Sequence, residues 1–245
     1  MHHPHRRHHR SPVATSLATL LLIAAVACSA TAAADWRASL EAGTEIRDGR
    51  ATQRLRGTLS EATRPLTRAL AIEYIGGDGT TVLLDGALRY WLTRGAYGFV
   101  DTRYLHDEPL GIDGQLRVLT GPGYRWQRTP AGALGIELGG GYVHTRLGGS
   151  GSTPTNASDR DDSVGEPIGL IRVDGFRSVL ERLRLDTRLE ATRTSRLTEL
   201  RGEIGLAVNL AAGSVRYTLQ TRRVSRDGEP ARQRNLGFIS FGYRF

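Results

Sequence analysis

The feature that most constrains this 245-residue chain is an alternation of apolar and polar residues with a period of two. In the first such segment, each of the apolar residues Trp36 and Leu40 is followed directly by a charged residue, Arg37 and Glu41 respectively. Every second side chain of an extended strand lies on the same face, so the pattern predicts strands with one apolar and one polar face. About twelve such segments follow one another, each long enough to cross a bilayer at the tilt of barrel strands.

The N-terminal region has the layout of a secretory signal peptide. Three arginines precede an apolar stretch, and the small residues at 32–34 form a cleavage pattern. The apolar stretch, of about a dozen residues, is too short for a comfortable membrane-spanning helix. We therefore expect a cleaved signal peptide at 1–34 and a single β-barrel domain at 35–245.

Two other interpretations of this leader are weaker. Cys28 could carry a lipid, but Ala25 occupies the position where a lipobox normally has leucine. The N-terminal histidines could bind a metal, but they precede the predicted cleavage site and would be discarded. Because Cys28 is the only cysteine, the processed chain would contain no disulfide.

The same period also fits a soluble β-sandwich, and loop lengths distinguish the two architectures. Bacterial barrels alternate long external loops with short periplasmic turns. Long connections are predicted at Leu147–Glu166, His106–Asp113 and Arg226–Arg232, whereas Thr93–Gly95 is tight. No second apolar run approaches the roughly 20 residues of a spanning helix, so only a closed barrel would satisfy the backbone in lipid. We predict an all-β, transmembrane, antiparallel up-and-down β-barrel of about twelve strands.

The C-terminal segment strengthens this prediction. Its apolar positions recur at every second residue up to a terminal phenylalanine: Gly237, Ile239, Phe241, Tyr243 and Phe245. This pattern resembles the C-terminal signature by which the outer-membrane assembly machinery recognises its substrates. It predicts the barrel-assembly machinery and outer-membrane lipid as partners, and we expect a monomer.

A glycine-rich hairpin in the middle of the chain resembles the central hairpin of the DUF481 family, to which a salt-induced outer-membrane protein belongs. The residues that carry the resemblance are Gly121, Gly123, Tyr124, Arg125, Pro130, Leu134, Glu137, Gly139, Gly141 and Tyr142. The resemblance implies an outer-membrane barrel of poorly defined function and brings no catalytic residues. Glycines on adjacent strands also permit curvature and leave room for a large neighbouring side chain.

The polar face of the strands is predicted to line the lumen of the barrel. Its arginines are Arg89, Arg117, Arg125, Arg184, Arg188 and Arg201, and its acids are Glu41, Glu73, Asp85, Glu137, Asp186, Glu190 and Glu203. Such a set can form cross-strand ion pairs that plug a barrel narrower than the 16-stranded porins. If a path stays open, excess arginine would favour small anionic solutes. A structural barrel and a narrow channel therefore remain alternatives, with a polar, arginine-rich lumen in both.

A barrel hydrolase acting on lipids is the second alternative. His144 lies near Ser150 and Ser152 in sequence, but it falls on the outward, apolar phase, where interfacial anchoring is the simpler role. The acids Asp159, Asp161 and Asp162 lack the ordered spacing of a calcium loop. We expect no enzymatic activity, no cofactor and no metal. The arginines are dispersed among acids, so we also expect no nucleic-acid binding.

Overall fold

The protein forms a closed β-barrel in a computed structural model, which describes residues 36–47, 50–77, 79–129, 131–147, 163–210, 213–226 and 230–244. The predicted signal peptide, Phe245, and the loop residues Ser150, Ser152, Asp159, Asp161 and Asp162 lie outside the described residues. Within the described parts of the chain, no helix is long and apolar enough to cross a bilayer.

Twelve antiparallel strands and one short 3₁₀ helix make up the barrel. The strands are β1 (Trp36–Arg47), β2 (Arg50–Thr63), β3 (Leu66–Gly76), β4 (Thr81–Trp91), β5 (Ala96–Asp107), β6 (Ile112–Thr129), β7 (Gly132–Leu147), β8 (Ser163–Ser178), β9 (Leu183–Arg193), β10 (Leu197–Leu210), β11 (Gly213–Arg226) and β12 (Arg232–Arg244). The 3₁₀ helix spans Glu108–Leu110.

Each strand pairs with its sequence neighbours, and β1 pairs with β12 to close the barrel. At the closure, Leu40 lies opposite Tyr243 and Ala42 opposite Phe241, so the apolar faces of both strands point the same way. The up-and-down order confirms the predicted fold class, and closure excludes the β-sandwich. The start of β1 and the end of β12 lie at one end of the barrel, which we call the terminal end, and we call the opposite end the far end.

One predicted boundary was wrong. The long loop was expected to continue to Glu166, but β8 begins at Ser163, which pairs with Arg146 of β7. The first residues of β8 include polar residues, glycine and proline, so the sequence there does not show the alternation that is typical of a strand. The predicted loop at His106–Asp113 is also shorter, because His106 belongs to β5 and Ile112 begins β6.

The outer surface of the barrel is apolar, with aromatic residues near both ends. Near the terminal end, the exposed aromatic side chains are Tyr90, Tyr124, Trp126, Tyr217, Phe241 and Tyr243. Near the far end, Tyr104 and Tyr142 are exposed. Leucine, isoleucine and valine side chains occupy the surface between them, for example Leu88, Val118 and Leu138. An apolar band with aromatic girdles is the surface that a transmembrane barrel presents to lipid.

The glycine-rich hairpin of β6 and β7 makes room for aromatic side chains from β5. A Cβ atom at Gly123 would lie 2.5 Å from the Tyr97 ring, and one at Gly139 would lie 2.8 Å from Phe99. The space predicted beside these glycines is therefore occupied by two inward-facing rings. Both rings are almost fully buried and form an apolar cluster with residues of β6, β7 and β8.

The connection between β5 and β6 folds over the far end. Asp107 caps the 3₁₀ helix by accepting a hydrogen bond from the Leu110 amide at 3.2 Å. Gly111 ends the helix with a φ of 66°, a left-handed conformation that favours glycine. This turn places Leu110 in a buried apolar cluster with Leu83 and Leu105.

Candidate functional site: the charged lumen

The lumen is the candidate site because the charged faces of the strands meet there. All the predicted lumen residues lie in strands on the inward phase, and most engage in ion pairs with one another or with further charged residues. The paired members are Arg89, Arg117, Arg125, Arg184, Arg188, Arg201, Glu73, Asp85, Glu137, Asp186, Glu190 and Glu203. Glu41 also lies inward, but its buried Oε2 has no hydrogen-bond partner among the described residues.

Glu190 of β9 is the centre of the charge network. Its Oε1 accepts hydrogen bonds from Arg103 at 3.0 Å and Arg117 at 2.7 Å. Its Oε2 accepts from Arg172 at 3.0 Å and from Arg188 at 3.2 Å. The side chain is 3% exposed, so four guanidinium groups converge on one carboxylate that water barely reaches. Charge-assisted hydrogen bonds of this kind are the stronger ones in proteins.

Arg172 of β8 links Glu190 to two further carboxylates. Its Nη1 donates to Glu137 at 2.5 Å and to Asp101, while its Nε donates to Glu190. Asp101 and Arg172 are 71 residues apart in the sequence, so the contact joins β5 to β8. We call Arg172, Glu190, Glu137, Asp101 and Arg103 the central cluster.

Glu137, from the glycine-rich hairpin, is fully buried. Its Oε1 accepts hydrogen bonds from Arg89 at 2.9 Å and from the Tyr97 hydroxyl at 3.0 Å. Tyr97 reaches this carboxylate because Gly123 leaves space for its ring. The glycines and the glutamate of the hairpin motif thus belong to one arrangement, in which small residues admit the phenol that binds the acid.

A second group of charges spans β2, β3 and β10. Arg54 donates to Glu73 at 2.7 Å, and both side chains are buried. Arg201 lies 3.8 Å from Glu73 and 3.9 Å from Glu203, while Arg56 lies 3.6 Å from Glu203. These pairs extend the charged interior to the opposite wall of the barrel.

The far end of the lumen combines ion pairs with apolar side chains. Arg222 bridges Glu199 at 2.8 Å and Asp107 at 2.7 Å, which ties β11 to the 3₁₀ turn. Leu83, Leu105 and Arg103 contribute to the lining of a lumen cavity of about 50 Å³. Such a volume holds a few water molecules and is far smaller than the roughly 300 Å³ at which small-molecule sites begin.

Three further ion pairs lie near the terminal end of the lumen. Asp186 joins Arg184 at 2.7 Å and Arg216 at 3.2 Å, and Arg125 lies 3.6 Å from Asp174. These side chains are more exposed than those of the central cluster. The charge network therefore becomes more accessible to water toward the terminal end.

Several members of the network were not identified from the sequence, notably Arg172, Arg103 and Asp101. In β8 the inward residues Ile168 and Leu170 are as apolar as the outward Ile171, so no alternation indicates which way Arg172 points. Asp101 and Arg103 occupy alternate positions of β5 that face inward. This alternation was the signal in the sequence that could have identified them as lumen residues.

Of the groups considered for catalysis or metal binding, the structure describes only His144. His144 faces outward on β7, where its backbone lies opposite Leu116 and Gly165. Ser150, Ser152 and the loop acids lie outside the described residues. Among the residues that are described, no three histidine, cysteine or acidic side chains form a group suited to a metal ion.

Comparisons with known proteins give one family and several barrels of low identity. None of the curated proteins matches the sequence. The NanC porin superposes with a TM-score of 0.49 and 10% identity, over 84% of this chain and 97% of the porin. The KdgM porin gives 0.47 and 9%, over 84% and 98% of the two chains. The outer membrane channel DcaP of Acinetobacter baumannii gives 0.40 and 11%, over 86% and 95%.

The family match covers nearly all of the barrel. The sequence model of the family described as "Protein of unknown function, DUF481" matches residues 32–235. This range includes the glycine-rich hairpin and every residue of the central cluster. The chain therefore belongs to the DUF481 family, as the hairpin predicted.

Proposed function

We propose that the protein is a non-enzymatic structural barrel of the bacterial outer membrane, whose lumen is sealed by its charge network. The observation that carries the proposal is the burial of the central cluster. Glu137 is 0% exposed and Arg172 is 2% exposed, although both face the inside of the barrel. Side chains joined across the lumen by hydrogen bonds act as a core rather than as the lining of a pore.

The outer surface supports the location. The apolar band and its aromatic residues fit the hydrocarbon region and the two interfaces of a bilayer. On β12, Ile239, Phe241 and Tyr243 are exposed on that surface, next to β1 at the closure. This stripe fits recognition by the barrel-assembly machinery, and a closed sheet without free edges fits a monomer.

The narrow-channel alternative requires a continuous aqueous path. Within the described part of the lumen, Glu190 and Arg172 connect β8 and β9 to β5 and β6 through buried contacts. Arginines are paired with carboxylates there, so the network has little free positive charge to select anions. A structural barrel with a sealed lumen is therefore better supported than a channel. Measuring whether ions pass through the lumen tests this directly.

Planar-bilayer recording tests the seal. We expect the wild-type protein to insert without stepwise conductance. Paired deletion by Arg172→Ala and Glu190→Ala removes one charge of each sign and a large side-chain volume from the central cluster. We expect this variant to conduct, because water can then enter the narrowest buried section.

The matched control deletes an ion pair of the same composition, an arginine and a glutamate, at the far end of the barrel. Arg196 and Glu166 lie 3.2 Å apart, and the Arg196 side chain is 73% exposed. Arg196→Ala with Glu166→Ala should stay silent. Steady wild-type conductance, or equal conductance of both paired variants, would contradict the seal and favour the channel.

A further inference from the structure

A groove on the outer surface interrupts the apolar band between β9 and β12. It has a volume of about 490 Å³ and is lined by residues of four strands, including the outward-facing Leu189, Ile204 and Leu219. Two glycines, Gly202 on β10 and Gly237 on β12, leave its floor without side chains. Its volume is within the range of ligand sites, roughly 300–1,000 Å³.

The part of the groove that lies toward the far end of the barrel is polar. Thr221 donates a hydrogen bond to Asn235 Oδ1 at 2.7 Å, and Gln233 donates to the same oxygen at 3.1 Å. Because this oxygen already accepts two hydrogen bonds, the Asn235 amide nitrogen is oriented away from them as a donor. These polar side chains on the outward phase are consistent with this end of the groove lying at the level of the bilayer interface.

A positive charge lies beside these donors. Arg223 of β11 is exposed on the outer face, directly opposite Gln233 in the ladder. It makes no ion pair within the described parts of the chain, in contrast to the inward Arg222 next to it. A guanidinium without an ion pair among the described residues, with two amide side chains on the neighbouring strand, is suited to a phosphate group.

We propose that this groove binds one phosphate-bearing acylated lipid from the far-end leaflet. An acyl chain occupies the apolar part over Gly202 and Gly237, and the phosphate accepts hydrogen bonds from Arg223 and Asn235. The inference rests on the proposed membrane location but not on a sealed lumen. A snorkelling arginine near a membrane interface places its charge at the level where lipid phosphates lie.

Native mass spectrometry from detergent micelles tests the site with three probes: phosphatidic acid, diacylglycerol and glycerol 3-phosphate. We expect the wild-type barrel to retain one phosphatidic acid and neither of the other two. Arg223→Ala should weaken phosphatidic acid retention by about tenfold, since a charge-assisted hydrogen bond is lost. Gly237→Leu, which fills the floor, should weaken it similarly.

Arg177→Ala is the control, because Arg177 is also exposed but lies at the terminal end of β8. It should leave retention unchanged. All variants are first required to show the wild-type gel-mobility shift on boiling, which separates loss of the site from loss of the barrel. Equal retention of diacylglycerol, retention of glycerol 3-phosphate alone, a dimer in place of bound lipid, or insensitivity to both groove variants would overturn the proposal. Conductance by the wild-type protein would overturn the seal and leave the groove intact.

Discussion

Replacing Gly141 with alanine is expected to prevent the barrel from folding. A Cβ atom at this position would collide with the carbonyl oxygen of Val118 and lie 2.9 Å from the Leu119 Cα. Both atoms belong to the backbone of β6, so relief requires β6 and β7 to separate. Overpacking typically costs roughly 1–3 kcal/mol, and a clash with backbone lies at the upper end or beyond. We expect Gly141→Ala to lose the compact band of unboiled samples after refolding into detergent.

The adjacent glycine provides a matched control. A Cβ atom at Gly140 meets nothing closer than the Ile168 carbonyl oxygen at 3.6 Å, which is ordinary contact. Gly140→Ala therefore changes the same strand by the same methyl group and should refold like the wild type. Equal refolding of the two variants would show that the close approach of β6 and β7 at Gly141 is not needed for the fold.

The barrel itself was predictable because one physical rule acts on every strand. A strand between lipid and a polar interior must alternate, and β9 carries that alternation along most of its length, while β4 carries it on its outward face and at Asp85 and Arg89. The same alternation places Asp85 and Glu190 inside, because the phase of a strand assigns each residue to a face. Where both faces are apolar, as around Leu170 and Ile171 of β8, the phase is lost.

The pairing inside the lumen was not predictable from the sequence. Arg103 and Glu190 are 87 residues apart, and Arg172 and Asp101 are 71 apart. Whether such side chains meet depends on strand tilt and on the register at closure, which are properties of the complete barrel. The glycine motif indicated space for a large neighbour, but it did not identify Tyr97 and Phe99 as the residues that enter it.

Replacing Glu190 with glutamine is expected to destabilise the folded barrel strongly. The substitution keeps the shape of the side chain and removes the charge that four guanidinium groups share. Removing one partner of a buried ion pair costs about 3–5 kcal/mol, because the remaining charge stays desolvated without compensation. The free energy of unfolding, measured by urea titration in lipid vesicles with the mobility shift as the readout, should fall by that amount.

Glu181→Gln is the control for this substitution, because Glu181 is an exposed acid in the turn between β8 and β9. It should change the free energy of unfolding by less than about 0.5 kcal/mol, as surface substitutions usually do. If Glu190→Gln had an equally small effect, water rather than Glu190 would compensate the arginines, and the lumen would be hydrated.

A second substitution tests whether repulsion between the arginines around position 190 causes the loss of stability in Glu190→Gln. Arg188 contacts Glu190 through Nη2, while its Nε has no hydrogen-bond partner among the described residues. In the Glu190→Gln background, Arg188→Gln removes one of the uncompensated positive charges and should restore part of the lost stability. In the wild-type background the same change should destabilise the barrel or leave it unchanged. This dependence of the Arg188→Gln effect on the residue at position 190 is the signature of a coupled charge network, since independent contacts would add. Simple additivity would mean that repulsion between Arg188 and the other arginines does not cause the loss of stability.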